Sequence, residues 1–373
     1  MAVKEWFNAW SYIRKYKTFG WFLFWGQRSN GKTFSVIDGC MRAGLRVAYI
    51  RRYDTEIENA DMIDLFNGDH NINQITNEEF NNVCIKSGKK LYYCNYDENG
   101  KISEISDRDI AQCFSINRWE KYKGADRGQF DVIIFDEFMS ENELPDEYIK
   151  FKNMLSTLLR NRDNSIIVML ANSFNPFSIY FDELQVNEIV QGMKRAETKT
   201  VDKNGTKILL HWCKKSDVTK KVNNKFFGFD LGKERYTMIE GGNWQIKDYP
   251  HCTVPYVNKP INKGGNVIAY MYILFRSKIM RVAVINSILV PPFIHCYFVN
   301  ELPEKATAIF TPNTDIQTNV TYLNIRQWVM SNGKRGKLFQ DLLDSNRIYF
   351  NTNLEGEFFK TWYNVQNFSK FGW

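Results

Sequence analysis

Along the first half of the chain, short apolar runs alternate with stretches in which apolar residues recur every three to four positions. Residues 22–25 (FLFW), 46–50 (RVAYI), 131–135 (DVIIF) and 166–170 (IIVML) are such runs, and their lack of alternation predicts strands buried on both faces. Residues 32–42 and 146–159 have helical spacing, and Thr55 followed by Glu58 has the spacing of a capped helix start. Residues 83–86 and 91–94 flank Ser-Gly-Lys-Lys and predict a hairpin. Strand and helix signals in alternation predict an α/β domain, a parallel sheet covered by helices.

The pattern changes at about residue 196. Residues 196–225 are polar and lysine-rich, which predicts a connector or small subdomain. Beyond them, 226–229, 236–239, 244–246, 268–275, 282–285 and 294–299 read as strands, and 322–330 and 338–343 have helical spacing. Three segments result: an α/β domain at 1–195, a basic connector at 196–225 and an α+β domain at 226–373.

Composition narrows the class. Hydrophobic residues at 44% and charged residues at 24% of 373 positions argue for globular domains over disorder. No apolar run reaches the roughly 18 residues of a membrane span, and no membrane partner is expected. Seven cysteines without a CxxC spacing suggest reduced thiols inside a cell. The net charge of +7 is unevenly placed. Residues 1–202 hold 26 basic and 30 acidic groups, giving −4; residues 203–225 hold seven lysines and one aspartate, giving +6; residues 226–373 hold 16 basic and 11 acidic groups, giving +5. Nucleic-acid affinity is therefore expected after residue 202.

The string GQRSNGKT at 26–33 is a full match to the phosphate-loop pattern, with an apolar strand before it and a helix after it. Gly26 and Gly31 permit the backbone angles that aim amides at phosphate oxygens. Gln27, Arg28, Ser29, Asn30 and the adjoining Phe34 complete the nucleotide-binding stretch. Lys32 is expected at the β- and γ-phosphates, and Thr33 at Mg²⁺. ATP and Mg²⁺ are the expected ligands; guanine selection is disfavoured, because the string nearest to NKxD is Asn-Lys-Pro-Ile at 258–261.

About 100 residues downstream, an apolar strand ends in Asp136-Glu137. An aspartate there holds Mg²⁺, and a following glutamate can polarise a water for attack on the γ-phosphate. This pairing is the additional-strand, catalytic-glutamate pattern of ATP-driven motors. Asn172 follows the next strand, where it can sense the γ-phosphate, help orient the water, or cap a turn. Arg160 and Arg162 end the helix between those strands. Either one is a candidate to neutralise phosphoryl charge in a neighbouring subunit, and a helix C-terminus favours cations in any case.

Taken in order, GQRSNGKT, VAYIRRYDTE, VIIFDEFMSEN, LLRNR and LANSFNP resemble the phi-29-like phage DNA-packaging ATPases, over about residues 20–185. The resemblance implies a homo-oligomeric ring, five-membered in that family, at the portal of a viral prohead in the host cytoplasm. It implies ATP hydrolysis that drives double-stranded DNA inward, with the portal and a scaffold RNA as further partners. It makes Arg160 the trans-acting arginine and Lys121, of the pair Glu120-Lys121, a second such cation. It also implies a C-terminal domain of RNase H type without its nuclease acids, and the strand pair 268–285 carries neither Asp nor Glu. Acidic Asp54 after Arg51-Arg52-Tyr53 departs from a basic position in the family.

Three lysine groups could grip duplex phosphates without reading sequence: Lys86, Lys89 and Lys90 at the hairpin; Lys121, Lys123 and Arg127 before the acidic strand; and Lys214, Lys215, Lys220, Lys221 and Lys225 in the connector. The last two groups are preferred, and any of them can be a solvated face. Trp6, Trp10, Tyr16, Phe19 and Trp21 either frame a nucleotide base or pack under the sheet.

Overall fold

The structure, a computed structural model, describes residues 6–122, 129–140, 143–160, 163–172, 174–214, 248–303, 306–311, 320–322 and 324–368. The chain divides into two compact units, Met1–Gln245 and Ile246–Trp373.

In the first unit the strands are β1 (Trp21–Trp25), β2 (Val47–Arg51), β3 (Asn82–Lys86), β4 (Lys90–Tyr96), β5 (Ile102–Ile105), β6 (Ala111–Ser115), β7 (Val132–Asp136), β8 (Ile166–Ala171), β9 (Thr198–Lys203) and β10 (Thr206–Trp212). The helices are α1 (Ala9–Lys15), α2 (Lys32–Arg42), α3 (Asn59–Asn67), α4 (Ile72–Ile75), α5 (Glu147–Leu158), α6 (Ile179–Glu183) and α7 (Asn187–Gly192). The sheet order is β3-β4-β6-β2-β7-β8-β1-β10-β9, with β5 on β4. From β6 to β10 every pairing is parallel; antiparallel strands close both edges.

Strand alternation sorts the core into two layers. Leu23, Trp25, Ile133, Phe135 and Met169 face one cluster, filled by Phe151, Met154 and Leu158 of α5 and by Tyr180 and Phe181 of α6. Phe22, Phe24, Tyr49, Ile134 and Leu170 face the other, covered by α1, α2 and α3 through Ile13, Ile37, Cys40 and Phe66. Burial on both faces is the reason the central strands read as unbroken apolar runs.

Three expectations change. Residues 198–212, assigned to a connector, are β9 and β10, and β10 pairs in parallel with β1. The apolar centre Ile208–Leu210 fills both layers, so the lysines around it mark strand ends. The expected boundaries at 195 and 225 give way to one division after Gln245. The Thr55–Glu58 capping box is replaced by a 3-10 turn over Asp54–Ile57, where Glu56 accepts from the Tyr53 N–H at 2.7 Å. β6 went unpredicted because Gln112 and Ser115 interrupt its apolar character, although every residue in it is buried. The expected strands at 226–246 lie outside the described residues.

The second unit has the sheet β11 (Val267–Phe275), β12 (Lys278–Ile285), β13 (Phe293–Val299), β14 (Ala308–Phe310), β15 (Thr321–Tyr322) and β16 (Ile348–Phe350), in the order β15-β14-β11-β12-β13-β16. β11, β12 and β13 form an antiparallel meander. β14 runs parallel to β11, β15 to β14, and β16 to β13. β12 begins earlier than its apolar run indicated. The hairpin turn there is Arg276-Ser277, both at positive φ (46° and 59°), and neither residue is the Gly or Asn that normally marks such a turn. Helices Ile325–Ser331, Gly333–Asp344 and Asn353–Phe368 complete the unit. Among the described residues no helix is long and apolar enough to cross a membrane.

Candidate active site

The C-terminal ends of β1, β2, β7 and β8 meet at one edge of the sheet, where open parallel sheets place their ligands. β1 ends at Trp25, the loop 26–31 follows, and α2 starts at Lys32. Gly26 and Gly31 have φ of 151° and 95°. A Cβ at Gly31 would lie 2.9 Å from the Phe7 carbonyl oxygen, so the position excludes any side chain. The segment before α1 braces the loop: Phe7 N–H donates to Asn30 O at 2.9 Å, and Ala9 N–H to Ser35 Oγ at 2.9 Å. Gln27, Asn30 and Lys32 are buried; Arg28 and Ser29 are exposed.

Lys32 Nζ donates to Gly26 O (3.1 Å), Gln27 O (2.7 Å) and Asn30 Oδ1 (3.1 Å). The ammonium is thereby held inside the loop by its own acceptors. Burial pulls its pKa down to about 8, against the opposing charges of Asp136 and Glu137.

β8 lies between β1 and β7, so an additional strand separates the loop-bearing strand from the acid-bearing one. Thr33 Oγ1 nevertheless reaches Asp136 Oδ2 at 3.2 Å, and Tyr49 OH donates to the same oxygen at 2.9 Å. Burial raises the Asp136 pKa, with Arg51 and the Tyr49 hydrogen bond working the other way. Glu137 sits at φ +59°, a left-handed conformation that costs a non-glycine residue energy and clusters at functional sites. Its Oε2 meets Arg51 Nη2 at 3.1 Å, and its Oε1 accepts from Asn172 Nδ2 at 3.3 Å. The expected Lys32, Thr33, Asp136, Glu137 and Asn172 thus converge.

Sequence reasoning did not assign Arg51 or Arg52 a site role. Arg51 joins Glu56 (3.0 Å), Glu137 (3.1 Å) and, more distantly, Asp136 (3.9 Å). Arg52 forms a buried fork on Glu147, Nε to Oε2 at 2.7 Å and Nη2 to Oε1 at 2.8 Å. It also donates to the carbonyls of Glu137 and Phe138, which anchors the turn carrying Glu137. Glu147 further accepts from Leu144 N–H and Tyr180 OH. Two adjacent arginines closing an apolar strand were the available signal.

Other candidates stand apart. Arg160 is exposed just past α5, and Lys121 is exposed near the end of a 3-10 turn over Ile116–Tyr122. Lys214 is exposed after β10. Arg162, Lys123, Arg127, Lys215, Lys220, Lys221 and Lys225 lie outside the described residues. Lys89 is engaged within its own unit, donating to Ile57 O at 2.8 Å and facing Asp54 at 3.7 Å. Asp54 also pairs with Arg118 at 3.0 Å, a local role for the acidic departure after Tyr53. Of the N-terminal aromatics, Trp10 packs on Gly39 of α2, while Tyr16 and Phe19 lead into Phe22. Trp6 stays exposed. Among the described residues no group of three or more His, Cys, Asp or Glu could hold a metal.

This fold is that of phage DNA-packaging motor proteins. It overlays the phi28 gp11 DNA-packaging motor with a TM-score of 0.52 (16% identity, all of both chains) and a chain of the bacteriophage phi29 packaging motor assembly at 0.59 (14% identity, 96% of this chain and 99% of that one). The chain belongs to the podovirus DNA encapsidation protein (Gp16) family, whose model matches residues 7–223. It is 24% identical to the DNA packaging protein of Bacillus phage phi29 over 168 residues, 42% of this chain. With that of Bacillus phage B103 it shares 25% over 167 residues. The match spans 45% of the phi29 protein's length and 46% of the B103 protein's.

Proposed function

We propose that the chain is an ATP-hydrolysing subunit of a ring motor that drives double-stranded DNA into a viral prohead. The observation that carries this reading is the convergence of Thr33, Asp136 and Glu137 at the end of the glycine loop, with Thr33 Oγ1 and Asp136 Oδ2 3.2 Å apart. A hydroxyl and a buried carboxylate are hard oxygen donors, the set that suits Mg²⁺. Thr33 and Asp136 would hold that ion, which supplies charge neutralisation at the β- and γ-phosphates.

Gly26–Gly31 amides and Lys32 bind the triphosphate. Glu137 accepts the proton of the attacking water as its oxygen adds to the γ-phosphorus and ADP departs. Asn172 positions that carboxylate, and Arg52 holds the turn beneath it. In this reading Arg160, at the end of the helix that follows Glu137, serves a neighbouring copy, with Lys121 a second such cation; their exposure supports it. Identical subunits, the portal and an RNA scaffold are the partners this reading entails, and duplex DNA is the cargo, held by Lys121, Lys123, Arg127, Lys214, Lys215, Lys220 and Lys221.

The second unit's strand order, an antiparallel meander flanked by β14 and β15 in parallel, supports an RNase H-like domain. Its buried Glu355 accepts from the N–H groups of Phe298, Asn351 and Thr352, which gives this carboxylate a capping duty at the start of the last helix. A non-cleaving nucleic-acid or portal module fits.

The test is steady-state ATP hydrolysis with and without long duplex DNA and proheads, for the chain and for Glu137→Gln. DNA-stimulated turnover that Glu137→Gln abolishes, with nucleotide binding kept, is the expected result. Turnover indifferent to the substitution removes the assignment.

A further inference from the structure

Asp136 is buried, and much of its carboxylate is already committed to hydrogen bonds. Its Oδ1 accepts the N–H of Glu137 at 3.0 Å. Its Oδ2 accepts from Tyr49 OH at 2.9 Å and from Thr33 Oγ1 at 3.2 Å. An ionised carboxylate offers about four lone-pair positions. Among the described residues, these bonds fill both positions on Oδ2 and one on Oδ1. The Arg51 guanidinium stands further off, at 3.9 Å.

Tyr49 reaches this carboxylate from β2, whose parallel register sets it against Ile134 of β7. Ile134 and Asp136 are two residues apart in one strand and so share a face of the sheet. Tyr49 and Ile134 fill the same core layer on that face. The phenol therefore spans from its own register position to the strand end. Phe66 of α3 meets its ring edge to face, at 6.1 Å and 83°, and only 1% of Tyr49 is exposed. A ring so enclosed cannot swing away, so its hydroxyl meets Oδ2 from a fixed direction.

Saturating Oδ2 leaves one position, on Oδ1, for a cation or for a water bound to it. Thr33 can keep its bond to Asp136 while the lone pairs of its own oxygen serve the ion. Mg²⁺ demands near-octahedral geometry and keeps several of its waters, whereas Ca²⁺ takes more ligands and accepts carboxylates through both oxygens. A carboxylate restricted to one oxygen suits the first ion and handicaps the second.

We propose that Tyr49 is a positioning residue of the metal site: by occupying Oδ2 it confines Asp136 to contact through a single oxygen and so favours Mg²⁺ over Ca²⁺. The proposal rests on the assignment of Thr33 and Asp136 to the metal, and adds the residue that sets how the carboxylate meets it. Losing a hydrogen-bond partner behind a metal ligand typically costs about 10- to 100-fold in metal affinity, an effect large enough to measure.

The experiment is equilibrium binding of the β,γ-imido analogue of ATP to the full chain in excess EDTA, in Mg²⁺ and in Ca²⁺. The affinity gained on adding each ion, relative to EDTA, measures that ion's hold on the complex without any turnover. The variants are Tyr49→Phe, which keeps the ring and removes the hydroxyl, and Asp136→Asn. Tyr49→Phe is expected to hold the EDTA affinity within about twofold and to lower the ratio of the Mg²⁺ gain to the Ca²⁺ gain about tenfold. An unchanged ratio overturns the proposal; if all three affinities fall together, the phenol serves packing alone. Asp136→Asn is expected to abolish the gain from Mg²⁺. An unaltered chain that gains nothing from Mg²⁺, or a gain that Asp136→Asn keeps, identifies failure of the metal assignment beneath, and the role of Tyr49 falls with it.

Discussion

Arg51 Nη2 lies 3.1 Å from Glu137 Oε2, across from Asn172 Nδ2 at 3.3 Å on Oε1. Both oxygens of a carboxylate in a left-handed turn are therefore held by side chains from the end of β2 and from just past β8, the two strands on either side of β7. Among the described residues the ion pairs of Arg51 are with Glu56, Asp136 and Glu137, outside the glycine loop, so its removal should act on chemistry more than on binding. Losing a charge-assisted hydrogen bond costs roughly 1.5–3 kcal/mol, which corresponds to about 10- to 160-fold in rate if felt in the transition state. Arg51→Ala is expected to lower ATP turnover by that factor while the ATP dissociation constant changes about threefold at most. Steady-state kinetics alongside equilibrium binding checks it; an unchanged kcat would assign the pair a purely structural role.

The buried fork of Arg52 on Glu147 makes a stability prediction. Side chains exposed by only 4% and 0% leave no water to compensate a lost partner. Arg52→Ala should destabilise the first unit by about 3–5 kcal/mol. The double variant Arg52→Met with Glu147→Leu should recover much of that loss. Urea denaturation followed by tryptophan fluorescence measures both, and a mild single variant would contradict the burial of the pair.

Lys32 sets a pH dependence. In the free protein its proton is lost as pH rises through about 8, whereas a bound triphosphate favours the charged form. ATP affinity is expected to be flat below about pH 8 and to fall by up to tenfold per unit above it. For folding the sign is opposite. An unfolded lysine keeps its proton to about 10.4, so from about 8 to 10.4 the unfolded state binds more protons and the free protein gains stability from this residue. Titration calorimetry at pH 7, 8 and 9 tests the binding side, and Lys32→Arg should abolish the slope.

His211 makes an acid prediction. It stacks on Phe7 (5.0 Å, 7°), lies 2.7 Å from Thr198 Oγ1, and burial brings its pKa down to about 4. An unfolded histidine titrates near 6.5, so between about 4 and 6.5 the unfolded state binds more protons. Stability from this residue is complete above about pH 6.5 and is lost as pH falls toward 4. Denaturation midpoints across that window should flatten in His211→Gln; an unaltered slope would place the acid sensitivity elsewhere.

The loop and its strand were legible because each requirement is local. The proposed phosphate loop needs glycines at fixed offsets with a lysine and a hydroxyl after them, and Gly26, Gly31, Lys32 and Thr33 supply these within eight residues. The helix that follows begins at Lys32 and ends at Arg42, as its spacing indicates. The strand Val132–Asp136 was visible because burial on both faces demands an unbroken apolar run. β10 was not, since only its centre is apolar and its pairing partner β1 precedes it by some 180 residues; lysines at the strand's margins masked the buried apolar residues Ile208–Leu210. β6 was hidden by Gln112, buried between β2 and β4, and by Ser115, buried beside the end of β2.

By itself the chain determined which residues are candidates to meet phosphate and metal, and where the basic charge resides, because those depend on residue type and short spacing. Only the tertiary structure decided that β8 stands between β1 and β7, that Arg51 and Arg52 reach across from β2 to the turn at Glu137, and that Tyr49 sets its hydroxyl on Asp136. Each of these joins side chains from separate elements. Their meeting is set by sheet order and helix packing, which no local run of residues encodes.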